Sequence, residues 1–306
     1  MNGALIETQG LSKRFGAVRA VEDISWSIPS GCVFGVVGPN GAGKTTAIKM
    51  LLGMTHPSAG WGRVLGLDIV RESVAIRRRV ALIPEDKLLY DDMVVRSFLR
   101  FYGEFFPSWD EPAARRFLDA WSIPLDRTVK QLSKGMRAKL VLSAALSRKP
   151  QVVLMDEPTI DLDPASVEEI LSLIAGWVSE DDRAAVLATH RLEEVERICD
   201  RVAVLQDGKE VLHGGVDDIK AEWKSLRAYG DVARDEIHEW PGVHSVSSSG
   251  NVTTVVVHGQ ATEIARQLEA AGATGVETNA MNLREIYLTL TNYERGRLDG
   301  AVESVG

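Results

Sequence analysis

Cysteine is nearly absent from this 306-residue chain: only Cys32 and Cys199 occur, far apart. No disulfide framework or cysteine-based zinc site can be built from them, and a reduced cytoplasmic compartment is expected. Long apolar runs are missing as well. No stretch approaches the roughly 18 to 20 apolar residues that span a bilayer, so any membrane crossing is expected to belong to another chain. Met1 to Gly10 lacks the apolar core of a secretory signal. There is no surplus of basic charge either. Lys and Arg number 35 against 43 Asp and Glu, a formal charge of −8. The stretch 221–306 holds seven basic and twelve acidic residues, so it is not a basic tail. Phosphate-backbone binding needs concentrated Lys and Arg, so nucleic acid is not expected as a partner. The remaining composition, 45% hydrophobic and 25% charged, is that of a folded protein, with length for about two domains.

Strands are expected at Leu5 to Thr8 and Val18 to Ile28, split by a polar turn at Ser12 to Gly16. Cys32 to Val37 reads as a buried strand, followed by a Gly-rich turn and a helix over Thr45 to Gly53. Val80 to Ile83 is a further buried strand, stopped by Pro84. From Val94 to Leu146 the pattern becomes helical, with Phe98, Phe101, Tyr102, Phe105, Phe117, Leu118 and Trp121 at helical spacing. An inserted helical subdomain of about 87–147 is predicted. Strand-like runs return at Val152 to Met155, Ala184 to Thr189 and Val202 to Gln206, the last pairing with Glu210 to Leu212 across Asp207-Gly208. Alternating strands and helices predict an α/β fold with parallel strands. A first domain over 1–220 is expected, then a small α+β domain over 221–306 with a strand at Val252 to Val257 and helices at Ala261 to Ala271 and Leu283 to Leu290. Arg297 to Gly306 is expected to be loose.

Three motifs carry chemistry. Gly38-Pro39-Asn40-Gly41-Ala42-Gly43-Lys44-Thr45-Thr46 fits the P-loop pattern, with a strand before it and a helix after. Its glycines let backbone amides face phosphate oxygens at a helix N-terminus. Lys44 then neutralises the β- and γ-phosphates and the Thr45 hydroxyl ligates Mg²⁺. Val152 to Met155 ends in Asp156-Glu157. Adjacent strand positions point to opposite faces, so different tasks are expected: Asp156 at the Mg²⁺ shell, Glu157 polarising an attacking water. Leu132-Ser133-Lys134-Gly135-Met136 opens a helical run, with Ser133 as N-cap and Gly135 at a close backbone approach. His56, His213, His238, His244 and His258 have no ligand spacing.

Together these motifs resemble those of the ATPase subunit of ABC transporters, in family order over roughly the first 215 residues. The P-loop is similar to Walker A, Leu154 to Glu157 to Walker B, Leu132 to Met136 to the family signature, and Thr159 to Pro164, with Asp163, to the D-loop. The resemblance places Phe15 against adenine, makes His190 the switch histidine and, with Glu157, catalytic, and puts Glu85 where a Gln usually meets Mg²⁺ and water. It implies a P-loop, RecA-like core with an antiparallel β-subdomain and the helical insertion. It also implies ATP and Mg²⁺ as ligands, and a head-to-tail dimer in which Ser133 and Gly135 reach ATP on a second ATP-binding subunit. A separate membrane-spanning subunit is implied, with this chain peripheral to it on the inner, cytoplasmic face of the cell membrane, and export is the expected direction. Lys134 and Met136 depart from the signature's usual Gly and Gln, Glu85 from the usual Gln, and Asp161 from the usual small residue. A soluble ABC-type ATPase working on nucleic acid or the ribosome, and a regulatory subunit without turnover, are the rival readings.

Overall fold

The computed structural model describes residues 3–86, 89–180, 182–230, 232 and 237–291. β1 (Ile6–Phe15) runs straight through the stretch expected to turn at Ser12 to Gly16. A register shift against β2 (Val18–Ile24) absorbs the polar residues. The Ser12 hydroxyl donates to the Gly10 carbonyl at 3.1 Å and accepts the Asp23 amide at 2.9 Å. The turn shrinks to Gly16 and Ala17, with Gly16 at φ 57°. The single strand expected over Val18 to Ile28 is also interrupted, because β3 (Ser27–Ile28) pairs separately with β1.

β4 (Cys32–Val37) is buried along its whole length and feeds α1 (Lys44–Leu51). β5 (Ala59–Val64) and β6 (Leu67–Asp68) follow; neither is apolar enough to stand out in the sequence. Next come α2 (Ser73–Arg79) and β7 (Val80–Ile83). The helical insertion contains α3 (Val95–Gly103), α4 (Glu111–Ala120) and α5 (Lys134–Leu146). Then come β8 (Val152–Asp156), α6 (Pro164–Ser179), β9 (Ala184–Thr189), α7 (Leu192–Ile198), β10 (Arg201–Gln206) and β11 (Lys209–Gly215). The last two join through Asp207 and Gly208, both at positive φ, as a two-residue hairpin demands.

These strands form one eleven-stranded sheet in the order β6-β5-β1-β2-β11-β10-β4-β9-β8-β7, with β3 on β1. One end is an antiparallel subdomain built on β1, β2 and β5. At the other, β10, β4, β9, β8 and β7 are parallel neighbours. β4, β8 and β9 are buried at every position, as strands covered on both faces must be. Register sets Val37 beside Thr189, Asp156 beside Ala188, and Ile83 beside Met155. The segments leaving β4, β7, β8 and β9 therefore emerge at one edge, the carboxyl end where open α/β sheets bind ligands. The insertion has its own core, including Phe98, Leu99, Leu118 and Leu140. Phe101 and Phe105 follow the expected spacing only in part: α3 ends at Gly103, and both rings face outward.

The chain divides into two units between His213 and Gly214, which puts α8 (Val216–Glu222) with the second. That unit has a four-stranded antiparallel sheet, β12 (Trp223–Tyr229), β13 (Val243–Ser249), β14 (Val252–His258) and β15 (Gly275–Ala280), ordered β13-β14-β12-β15. Its core joins Leu226, Val255 and Val257 to Ile264 and Leu268 of α9 (Ala261–Ala270). A further helix, α10 (283–291), follows Asn282. There the Asn282 side chain accepts the Glu285 amide and the Glu285 carboxylate accepts the Asn282 amide, each at 2.9 Å, a reciprocal cap. Residues 297–306, expected to be loose, lie outside the described residues.

Candidate active site

The Gly-rich loop leaves β4 and turns directly into α1. Gly43 sits at φ 106°, and a Cβ there would run into the Ala20 carbonyl, so only glycine closes this turn. Lys44 is the first helical residue and only 5% exposed. Its ammonium donates to the carbonyls of Gly38 at 2.7 Å and Pro39 at 3.2 Å. A cavity of about 220 Å³ opens at this point, lined by Ala20, Asn40, Gly41, Ala42, Gly43, Lys44, Thr45, Thr46, Glu85, Asp156 and Glu157. Four separate chain segments thus meet at the sheet edge.

Asp156 is the last residue of β8 and is buried. Burial pushes its carboxyl above the usual carboxylate range; a hydrogen bond from Thr45 pulls the other way, and Glu157 beside it raises it further. Among the described residues no hydrogen-bond donor reaches Asp156 Oδ1. A buried, unsatisfied carboxylate oxygen is costly to keep unless a cation takes it. An oxygen pair of this kind, Thr45 hydroxyl and Asp156 carboxylate, suits a hard divalent ion that draws its other ligands from phosphate and water. No cluster of three or more His, Cys, Asp or Glu side chains able to hold a metal exists among the described residues. The chain's residues thus fit Mg²⁺ carried in with a phosphate ligand, not an all-protein cage.

Glu157 does not lie on the strand. Its backbone is left-handed, φ 46°, so its side chain leaves that of Asp156 through this twist and not through the strand pleating expected from the sequence. The twist sends the buried carboxylate between two cationic or titratable partners. Oε2 lies 2.9 Å from His190 Nδ1, and Oε1 lies 3.3 Å from Lys44 Nζ. His190 follows β9 and stays partly open to solvent. Oε2 is therefore held by His190, while Oε1, buried and without a hydrogen bond, has only the ion pair with Lys44; in a cavity beside a phosphate-binding loop, such a carboxylate is placed to accept a proton from water.

The other expected residues lie elsewhere. Phe15 ends β1 and does not line the cavity; the residue is 52% exposed, with the Lys13 ammonium 4.9 Å from its ring centroid. Ser133 caps α5 by accepting the Met136 amide at 3.2 Å. Gly135 is buried, and a Cβ there would run into the Ser166 hydroxyl. Asp163 caps α6, accepting the Ser166 amide at 3.0 Å and hydroxyl at 2.7 Å; the hydroxyl, then the amide, holds its carboxyl below the usual range. The starts of α5 and α6 are therefore packed against each other.

The protein-family model described as ABC transporter matches residues 21–160. A Nod factor export ATP-binding protein I from Paraburkholderia xenovorans is 32% identical over 306 residues, covering 96% of this chain and 99% of the relative. The chain belongs to the ATP-binding subunits of ABC transporters. A daunorubicin resistance ATP-binding protein, DrrA3 of Streptomyces coeruleorubidus, is 34% identical over 72% of each chain. A solved structure of an ATP-binding subunit of an ABC transporter superposes with a TM-score of 0.64 at 28% identity, covering 71% of this chain and 92% of that one.

One residue of this ABC subunit gives no sequence signal. Glu194 lies on the buried face of α7, 4% exposed. It accepts the Thr159 hydroxyl at 2.7 Å, the Thr189 hydroxyl at 3.2 Å and Arg191 at 3.2 Å. It thereby ties the loop after Glu157 to the end of β9, whose last residue, Thr189, directly precedes His190. No motif marks it, because a Glu in the first turn of a helix is ordinary. Glu194→Ala leaves buried hydroxyls without an acceptor, so a loss of about 1–3 kcal/mol is expected in denaturant unfolding. Glu194→Gln, which keeps an acceptor, should lose less.

Proposed function

We propose that this chain hydrolyses ATP and drives an exporter whose membrane-spanning part is a separate subunit. The observation that carries this reading is the meeting of Lys44, Thr45, Glu85, Asp156 and Glu157 in one cavity, with His190 bound to Glu157. The P-loop amides and Lys44 bind the phosphates, and the exposed face of Phe15 stacks on adenine. Thr45 and Asp156 would hold Mg²⁺, with Glu85 at its outer side; bound there, the ion would screen charge developing on the phosphates. Glu157 takes the proton of the attacking water, and His190 keeps its carboxylate oriented. The reaction transfers the terminal phosphoryl group to water, giving ADP and phosphate.

Ser133 and Gly135 of a second ATP-binding subunit complete the site, so closure of two subunits depends on ATP. Asp163 shapes the loop beside that face. No helix among the described residues is long and apolar enough to cross a membrane. On this reading movement passes to a membrane partner, with this chain docked on the inner face of the cell membrane. Tyr90, Phe101 and Phe105 support the helical insertion as that contact. They form an exposed aromatic row, with ring centroids 5.5 and 5.1 Å apart. Export as the direction is supported by the Nod factor export protein among the relatives.

Lys44→Ala tests the phosphate site. Losing charge-assisted hydrogen bonds of about 1.5–3 kcal/mol corresponds to roughly a ten- to hundredfold weaker ATP affinity. Titration with a fluorescent ATP analogue measures it, and a melt without nucleotide controls for folding. Unchanged affinity would remove the P-loop assignment.

A further inference from the structure

Two residues that part from the family's pattern sit 27 positions apart in sequence and touch in space. The ammonium of Lys134, the first residue of α5, lies 3.1 Å from Asp161 Oδ2 in the loop before α6. Asp161 stands at φ 60°, a left-handed conformation that costs an L-residue energy, although Asp tolerates it better than most. From this backbone its carboxylate reaches the first residue of α5. The first turn of α5 contains no acidic residue. It carries Lys134 and Arg137 instead, and cations are unfavourable at the positive end of a helix. Both are countered from other segments: Lys134 by Asp161, and Arg137 by Asp91 at 2.8 Å. Lys134 is the residue directly after Ser133. The packing of Gly135 on Ser166 fixes the two backbones that carry it.

We propose that Asp161 is a positioning residue that holds Lys134 in reserve within one subunit, and that on closure Lys134 leaves it for the terminal phosphate of the ATP bound by the second subunit. This rests on the composite-site reading above. No bond forms or breaks; one ion pair is exchanged for another. Asp161 then competes with ATP for the same ammonium and sets the ATP concentration at which two subunits close. Both side chains are mostly solvent-exposed, so the pair is weak and exchange is easy. A strong buried pair could not serve as a reserve.

The test is the ATP concentration giving half-maximal dimer in a Glu157→Gln background, read by light scattering on the full chain. Asp161→Asn keeps a side chain that tolerates positive φ and removes the charge. It should lower the midpoint about two- to fivefold, the scale of an exposed ion pair. Lys134→Ala should raise it, and Asp161→Asn should then have no further effect in that background. Lys134→Arg and Asp161→Glu should stay near the parent. The exchange Lys134→Asp with Asp161→Lys rebuilds the intrasubunit pair but offers phosphate an anion, so it should not restore closure. A merely structural clasp predicts the opposite, a midpoint returned to the parent's. That result, or an equal effect of Asp161→Asn with and without Lys134, overturns the proposal. Ser133→Arg keeps the two readings apart. If it closes like the parent, the composite site itself falls and this proposal with it. If it blocks closure while the Lys134 and Asp161 effects add, only the reserve role falls.

Discussion

Glu157→Gln should keep ATP binding and lose turnover by about 10²-fold or more, the usual contribution of a positioned general base. The substitution is close to isosteric, so the buried pocket between His190 and Lys44 remains filled. What goes is the ability to accept a proton. The lost charge has a second consequence. Lys44 Nζ is 3.3 Å from Glu157 Oε1, so the carboxylate and the ATP phosphates compete for one ammonium. Removing the carboxylate charge frees that ammonium, and ATP affinity should hold or rise. Phosphate release and nucleotide titration on the same preparation check both parts. Hydrolysis near the parent rate would place the base elsewhere, and Glu85, the other acidic group lining the cavity besides Asp156, would be the first to replace.

The residues of this site were legible because the chemistry constrains short stretches of chain. A loop that must offer amides to phosphate has to be Gly-rich, and the buried strands on either side of it are uninterrupted apolar runs. The parallel strands β4, β8 and β9 therefore stood out, along with the residues that follow them. Which carboxylate points where did not. That depends on the left-handed backbone at Glu157, φ 46°, which no residue type announces. Glu194 was invisible for a related reason: its partners Thr159 and Thr189 come from two different loops, and only the assembled sheet brings them together. The polar stretch at Ser12 misled because a hydroxyl can satisfy a bulge inside a strand as well as it can a turn. The second unit was least legible. β13 reads Val-His-Ser-Val-Ser-Ser-Ser and the last four residues of β15 are exposed. Strands that bury little show no apolar period, and their pairing with β14 and β12 supplies what their composition does not.

Ser133→Arg should abolish ATP-dependent dimerisation in the Glu157→Gln background and abolish hydrolysis in the parent, while each subunit still binds ATP. The geometry separates the two halves of this claim. Ser133 is exposed at the start of α5, and the P-loop cavity includes no residue of that helix. A change at Ser133 therefore leaves the subunit's own phosphate site alone. In the proposed composite site a bulky guanidinium there occupies the space in which a second subunit's ATP seats, and steric exclusion is expected to outweigh any attraction between its charge and phosphate. One complication has to be removed. The Ser133 hydroxyl accepts the Met136 amide, so replacing it also costs a helix cap, about 1 kcal/mol of stability. Ser133→Ala loses the same cap without adding bulk. It should melt lower than the parent, like Ser133→Arg, yet still dimerise with ATP, at a higher midpoint because the hydroxyl no longer donates to phosphate. Size-exclusion chromatography with and without ATP reads all three chains. Dimerisation of the Ser133→Arg chain at the parent midpoint would reduce Leu132 to Met136 to a helix start packed on Ser166, and the site would then have to be complete within one subunit.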